Sequence, residues 1–112
     1  NSWTSNAAAV NRSSTNSYGG WARETATAAH APFIDLNEII ATGYEKLGRD
    51  PVAEFFTFNP AATRQDGTHT SVKGAQFNAR CVVSGLRALP GAPLDGFLSE
   101  TGRAVSPFTG AP

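Results

Sequence analysis

The chain has 112 residues, with nine basic and nine acidic side chains that cancel. That is one modest domain without the basic surplus or stripe that nucleic acid or an anionic membrane would require. No apolar run approaches the roughly 20 residues of a membrane helix, and Cys81 is the single cysteine, so no disulfide closes within the chain.

The opening "NSWTSNAAAVNRSSTNSYGG" is crowded with Ser, Thr and Asn, whose side chains compete with the backbone for hydrogen bonds and favour loops. It has neither the basic region nor the apolar stretch of a secretory leader. Residues 1–20 are therefore predicted to be a loop, with Trp3, Tyr18 and Trp21 as aromatic anchors in or beside it. From Gly20 to about His30 the chain is Ala-rich and free of breakers, which predicts a helix that Pro32 ends. "APFIDL" follows as a short apolar run and is the one convincing strand.

Asn37 is then a candidate cap for a helix carrying Ile39, Ile40, Tyr44 and Leu47, with Gly48 as its stop. "DPVAEFF" predicts a helical turn with Asp50 as cap and Pro51 at its first position. "TFNPAATRQDGTH" reads as a turn-rich loop. The longest helix starts after Ser71, with Val72, Ala75, Ala79, Val82, Val83, Leu86 and Leu89 on one face and Phe77, Cys81 and Ala88 roughly opposite. Apolar on two sides, it should be covered on two sides. Pro90 ends it, and residues 90–112 form a tail whose Leu94, Phe97, Leu98 and Phe108 need cover.

This order predicts a layered α/β protein, with residues 21–89 as its α/β part. One strand cannot make a sheet. The expectation is thus the C-terminal segment of a larger single domain whose N-terminal half is missing, or a chain that assembles with another. Cys81 is expected to be a free, half-buried thiol.

The chemistry concentrates in "DGTHTSVKGAQFNA". A histidine takes and returns a proton near neutral pH, and does so better when a carboxylate fixes its tautomer from Nδ1. Asp66 and His69 can meet in this way if Gly67 allows a tight turn, since glycine tolerates positive φ. A solvated surface turn, with Asp66 bonded to its own backbone, fits the same spacing. One histidine and one carboxylate fall short of a metal site, and His30 reads as structural at a helix C-terminus.

Asp-x-x-His entering a helix with a Gly-Ala pair resembles the last conserved block of the SGNH (GDSL-type) hydrolases. "APFIDLNEIIATGYEKLG" and "AEFFTFNPA" resemble the matching region of the rhamnogalacturonan acetylesterases in that superfamily. The resemblance runs from about Trp21 to Leu89. It implies a flavodoxin-like, three-layer α/β/α sandwich with Asp66 as triad acid and His69 as triad base. It also implies no cofactor or metal, an acetylated polysaccharide or other small ester as substrate, and an extracellular, secreted protein.

The family's Gly-Asp-Ser nucleophile has no counterpart in this chain, and the oxyanion-hole glycine and asparagine cannot be matched either. The chain by itself is therefore expected to be inactive. Trp3 is a candidate for stacking on a sugar ring, set against the simpler role of anchoring its own loop. The reading from a different class is a non-catalytic α/β module that binds carbohydrate or a partner subunit through its aromatic opening loop.

Overall fold

The computed structural model describes residues 3–4, 9–12, 16–59, 61 and 64–110, with the backbone alone at Asn59 and Arg64. Among these residues the fold is mixed α/β. Helices α1 (Tyr18–Ala28), α2 (Leu36–Leu47) and α3 (Arg49–Ala53) precede strands β1 (Phe56–Asn59) and β2 (Arg64–Thr70). Helix α4 (Val72–Ala88) and the short α5 (Glu100–Arg103) complete the order. The two strands form an antiparallel sheet of their own.

Local chemistry sets most helix ends. Ser17 caps α1 by accepting from Gly20 N. At the other end His30 adopts a left-handed φ of 52°, with its N–H on Thr27 O and that of Ala31 on Ala26 O. Those two bonds are the Schellman pattern that closes helices, with histidine in the place usually held by glycine.

Asp35 caps α2 by accepting from Glu38 N, and its other oxygen takes a hydrogen bond from Arg23. The cap is thus Asp35, two residues before the expected Asn37. A carboxylate that also pairs with a cation is the stronger anchor. Gly48, at φ 84°, stops α2 and starts α3 directly, so Asp50 lies inside the first turn of α3 and is not its cap.

Two expectations need correction. Residues 31–35 of "APFIDL" form no strand: Ile34 O accepts from Leu36 N as the chain turns into α2, and Phe33 and Ile34 are half-buried. No described strand lies alongside to satisfy an extended backbone there. The predicted loop "TFNPAATRQDGTH" instead contains both strands of the hairpin.

The core gathers Val10, Ala41, Tyr44, Val52 and Phe55, with Trp3, Ile40, Phe56 and Phe77 packed against it. Phe77 stacks on Phe55 with centroids 4.9 Å apart and tilts against Tyr44 at 5.5 Å. Small residues let α2 and α4 approach each other. A Cβ on Gly43 would lie 2.5 Å from Phe77 Cζ, and one on Gly85 would lie 2.9 Å from Ile39 Cδ1.

The buried side of α4 is therefore Gly74, Cys81 and Gly85, with Phe77 half-buried between them. Both faces were expected to be covered, and each is covered in part: Val72, Ala75, Ala79 and Val82 are exposed while Val83, Leu86 and Leu89 are half-buried, and opposite them Cys81 is buried but Ala88 exposed. Apolar periodicity locates a stripe but cannot rank it against a seam of glycines that permits closer contact. Burial pushes the Cys81 thiol up to about 11.

Two further segments are strapped to this frame. Val10 N donates to Glu45 Oε1 at 2.8 Å, and Arg12 pairs with both Glu38 and Glu45, so the opening segment lies along α2. Arg12, helped by Val10 N, holds the Glu45 carboxyl at about 2. The tail lies along the last turns of α4. Ser84 Oγ donates to Ser106 O and accepts no tail amide itself; its carbonyl receives Phe108 N, while Arg87 bonds the carbonyls of Arg103 and Val105. Phe108 is half-buried there, whereas Phe97 remains 86% exposed.

The N-terminus of α4 is seated on backbone. Ser71 N donates to Phe55 O at 2.8 Å, Ser71 Oγ donates to Glu54 O at 2.7 Å, and Gly74 N donates back to Ser71 Oγ. A Cβ on Gly74 would come within 2.1 Å of Phe55 O, an atom that cannot swing aside. In an open helix Gly→Ala gains up to about 1 kcal/mol. Gly74→Ala should instead destabilise by about 1–3 kcal/mol, the usual range for overpacking, as read from the midpoint of urea unfolding.

Candidate active site

A regular strand alternates its side chains, so residues three apart point to opposite faces. Asp66 and His69 nonetheless meet, and the hairpin register explains how. Phe56 pairs with Thr70 and Phe58 with Gln65, so the single residue Thr57 faces the four residues Asp66–His69. Three residues are extra on β2, and "DGTH" is the bulge. Bulges of this kind re-aim side chains and interrupt the ladder.

Asp66 organises the bulge with both carboxylate oxygens. Oδ1 accepts from Thr68 N at 2.7 Å and from His69 N at 3.1 Å, while Oδ2 lies 2.6 Å from His69 Nδ1. From the other strand, Thr57 Oγ1 donates to His69 O at 3.2 Å. The His69 ring bond, followed by the two backbone donors, holds the Asp66 carboxyl at about 2, below its ordinary 3.8.

Asp66 is thus an ionised acceptor at neutral pH. The proton of a neutral His69 must sit on Nδ1, leaving Nε2 as the free acceptor. The histidine side chain is 77% exposed and the aspartate 25%. The aspartate is the more sheltered of the two, and most of the imidazole is exposed.

The expected pair is therefore together, but the tight turn at a positive-φ Gly67 is not how it forms. Gly67 lies outside the left-handed region, and a Cβ on it would meet nothing within 4 Å. The strain-free bulge needs no glycine there. Thr57 is a supporting residue that only the strand pairing reveals, and its position in "FTFN" carries no local signal.

Trp3 is placed apart from this pair, half-buried against the core and bridged to Val10. His30 is the helix-closing residue of α1. The serines with placed hydroxyl bonds are structural: Ser17, Ser71 and Ser99 accept from helix N-termini, and Ser84 bonds Ser106 O. Ser5, Ser13 and Ser14 lie outside the described residues.

Cavities among the described residues include two of similar size. One, of about 300 Å³, is walled by Gly67, Thr68 and Thr70 of the bulged strand and by Tyr44, Phe56 and Asn78. The other, of about 370 Å³, lies at the far end of α4 between Arg23, Phe33, Leu89 and Phe108, and takes in no residue of the pair. No three His, Cys, Asp or Glu side chains gather among the described residues to hold a metal ion. No described helix is long and apolar enough to cross a membrane. No protein-family model, curated protein or solved structure matches the chain.

The depressed Asp66 carboxyl sets a direction for pH. Native Asp66 resists protonation more than the unfolded chain does, so its contribution to stability is complete above the ordinary 3.8 and is lost as pH falls through about 2. At about pH 3 a free aspartate is mostly protonated, but the ¹³C carboxyl resonance of Asp66 should still be that of a carboxylate. His69→Ala should move its midpoint upward, yet leave it below 3.8, because the two backbone donors remain. Gly67→Ala should leave the unfolding midpoint unchanged.

Proposed function

We propose that this chain supplies the acid–base pair of a serine ester hydrolase that removes acyl groups from carbohydrate, in the manner of the SGNH hydrolases its sequence resembles. The observation that carries this reading is the 2.6 Å contact between Asp66 Oδ2 and His69 Nδ1, with the rest of the imidazole exposed. In this reading the hairpin and helices belong to a three-layer α/β/α sandwich. The parallel strands, the nucleophilic serine and the oxyanion donors come from a part of the domain that this chain does not supply. The protein acts outside the cell.

The mechanism follows from the pair. His69 Nε2 takes the serine proton as the hydroxyl attacks the ester carbonyl, and Asp66 stabilises the resulting imidazolium without being protonated itself. The imidazolium then gives that proton to the departing sugar oxygen. Water, deprotonated by the same nitrogen, cleaves the acyl-enzyme to release acid and free serine. An Asp–His pair without serine and oxyanion donors lacks the groups that supply most of the acceleration.

One observation favours a second reading, a non-catalytic carbohydrate-binding module. Tyr18 and Trp21 form an edge-to-face pair with centroids 5.3 Å apart, and they are 88% and 50% exposed. Exposed aromatic rings on a helix with no buried residue suit stacking against sugars.

Hydrolysis of p-nitrophenyl acetate by the full-length protein carrying this chain separates the two. His69→Ala should lower kcat by about 10²–10⁴-fold, with KM little changed. Asp66→Asn should cost up to roughly 10⁴-fold, because an amide stabilises the wrong imidazole tautomer. Turnover by His69→Ala equal to that of the unmodified protein would sink the catalytic reading. The 112-residue chain alone should show negligible turnover.

A further inference from the structure

Different side chains hold the bulge from within and from outside. Within it, Asp66 accepts from the amides of Thr68 and His69 and contacts the His69 ring, so residues 66–69 form one internally bonded unit. Among the described residues, the side-chain hydrogen bond that joins this unit to the facing strand is that of Thr57, whose Oγ1 donates to His69 O at 3.2 Å.

The register explains why that bond stands where it does. Continued from the Phe56–Thr70 pair, an unbroken ladder would set Thr57 opposite His69, but the next pair is Phe58 with Gln65. The strand is thus fixed at Gln65 and again at Thr70, and each residue between them brings two soft backbone dihedrals. The bonds to Asp66 fix the shape of the unit. They do not fix its tilt against β1. Thr57 does so: by holding the His69 carbonyl it sets the plane of the His69–Thr70 peptide, about which the unit would otherwise swing. A threonine suits the position, because a β-branched side chain is at home in a strand and its stiff χ1 keeps the hydroxyl on one heading.

We propose that Thr57 is a positioning residue for His69: its hydroxyl holds the Asp66–His69 unit at the angle from which Nε2 meets the reacting group. The catalytic consequence rests on the ester-hydrolase reading above, whereas the ordering of the unit does not. Thr57 acts through the His69 carbonyl. Its removal should therefore spare the contact between Asp66 and His69, and misdirect the proton transfer.

The test uses the full-length protein carrying this chain, with Thr57→Val and Thr57→Ala to remove the hydroxyl and Thr57→Ser to keep it. Relaxation dispersion of the ¹⁵N amides of Thr68 and His69 reads the order of the unit. The unmodified protein and Thr57→Ser should give flat profiles, and both removal variants should show exchange on the microsecond-to-millisecond timescale. Against p-nitrophenyl acetate the removal variants should lose about 10- to 100-fold in kcat with KM unchanged, the size that a displacement of roughly 1 Å brings. Thr57→Ser should retain most of the activity. The Asp66 carboxyl should still take up its proton at about 2 in all three, because its bonds lie inside the unit. A threonine that merely stabilised the hairpin would lower the melting temperature and leave kcat of the folded protein unchanged.

Flat dispersion profiles in the removal variants would overturn the inference whatever the kinetics. An Asp66 midpoint that rises in them would also overturn it, since Thr57 would then hold the pair together and not aim it. Exchange at the amides with undiminished kcat in an active protein would do the same. Should Thr57→Val fail to fold, Thr57→Ala decides alone. If the unmodified protein hydrolyses no ester, the ester-hydrolase reading fails, and the dispersion profiles still decide whether Thr57 orders the unit.

Discussion

The seating of α4 on the backbone of residues 54 and 55 governs the rest of the structure. The Phe55 carbonyl receives Ser71 N, the Glu54 carbonyl receives Ser71 Oγ, and the missing side chain at Gly74 lets the first turn close over both. Those contacts fix where β2 must end. They also bring Phe77 onto Phe55 and Gly85 onto Ile34 and Ile39, which joins α2, the hairpin and α4 in one core. His69 lies two residues before Ser71, so its backbone position follows from a helix cap and not from loop chemistry.

The bulge then converts that fixed position into a usable orientation. A flat hairpin would have turned Asp66 away from His69, whereas three additional residues opposite Thr57 bring them to one side. The carboxylate satisfies the two amides that the interrupted ladder would leave open, so the same atoms that repair the strand also orient the ring. Structure and chemistry share one side chain. The order in the pair is therefore built into the fold of the hairpin itself.

What the sequence made legible follows from how local each signal is. Ser71 and Gly48 act within one turn of their own helices, and both appear where the pattern placed them. The Asp66–His69 pairing was legible because its spacing is short. The hairpin was not: "NP" and "DGT" are turn chemistry, and only the pairing of Phe56 and Phe58 with residues further along shows them to be strand. "APFIDL" failed in the opposite way, since a short apolar run states a preference but cannot supply the neighbour a strand needs. On α4, hydrophobicity pointed to Cys81 and Phe77, which are covered, and equally to Val72 and Val82, which are exposed, while close approach added Gly74 and Gly85.

Cys81 lies in the same α4 seam, 7% exposed, with its thiol held at about 11. The reactive species of cysteine is the thiolate, which at that value is scarce near neutrality. The native sulfur is therefore a silent background for maleimide chemistry. A cysteine introduced on the hairpin at the exposed Phe58 would be the sole attachment point for a fluorophore or spin label, giving a reporter of how the hairpin moves without first deleting the native thiol.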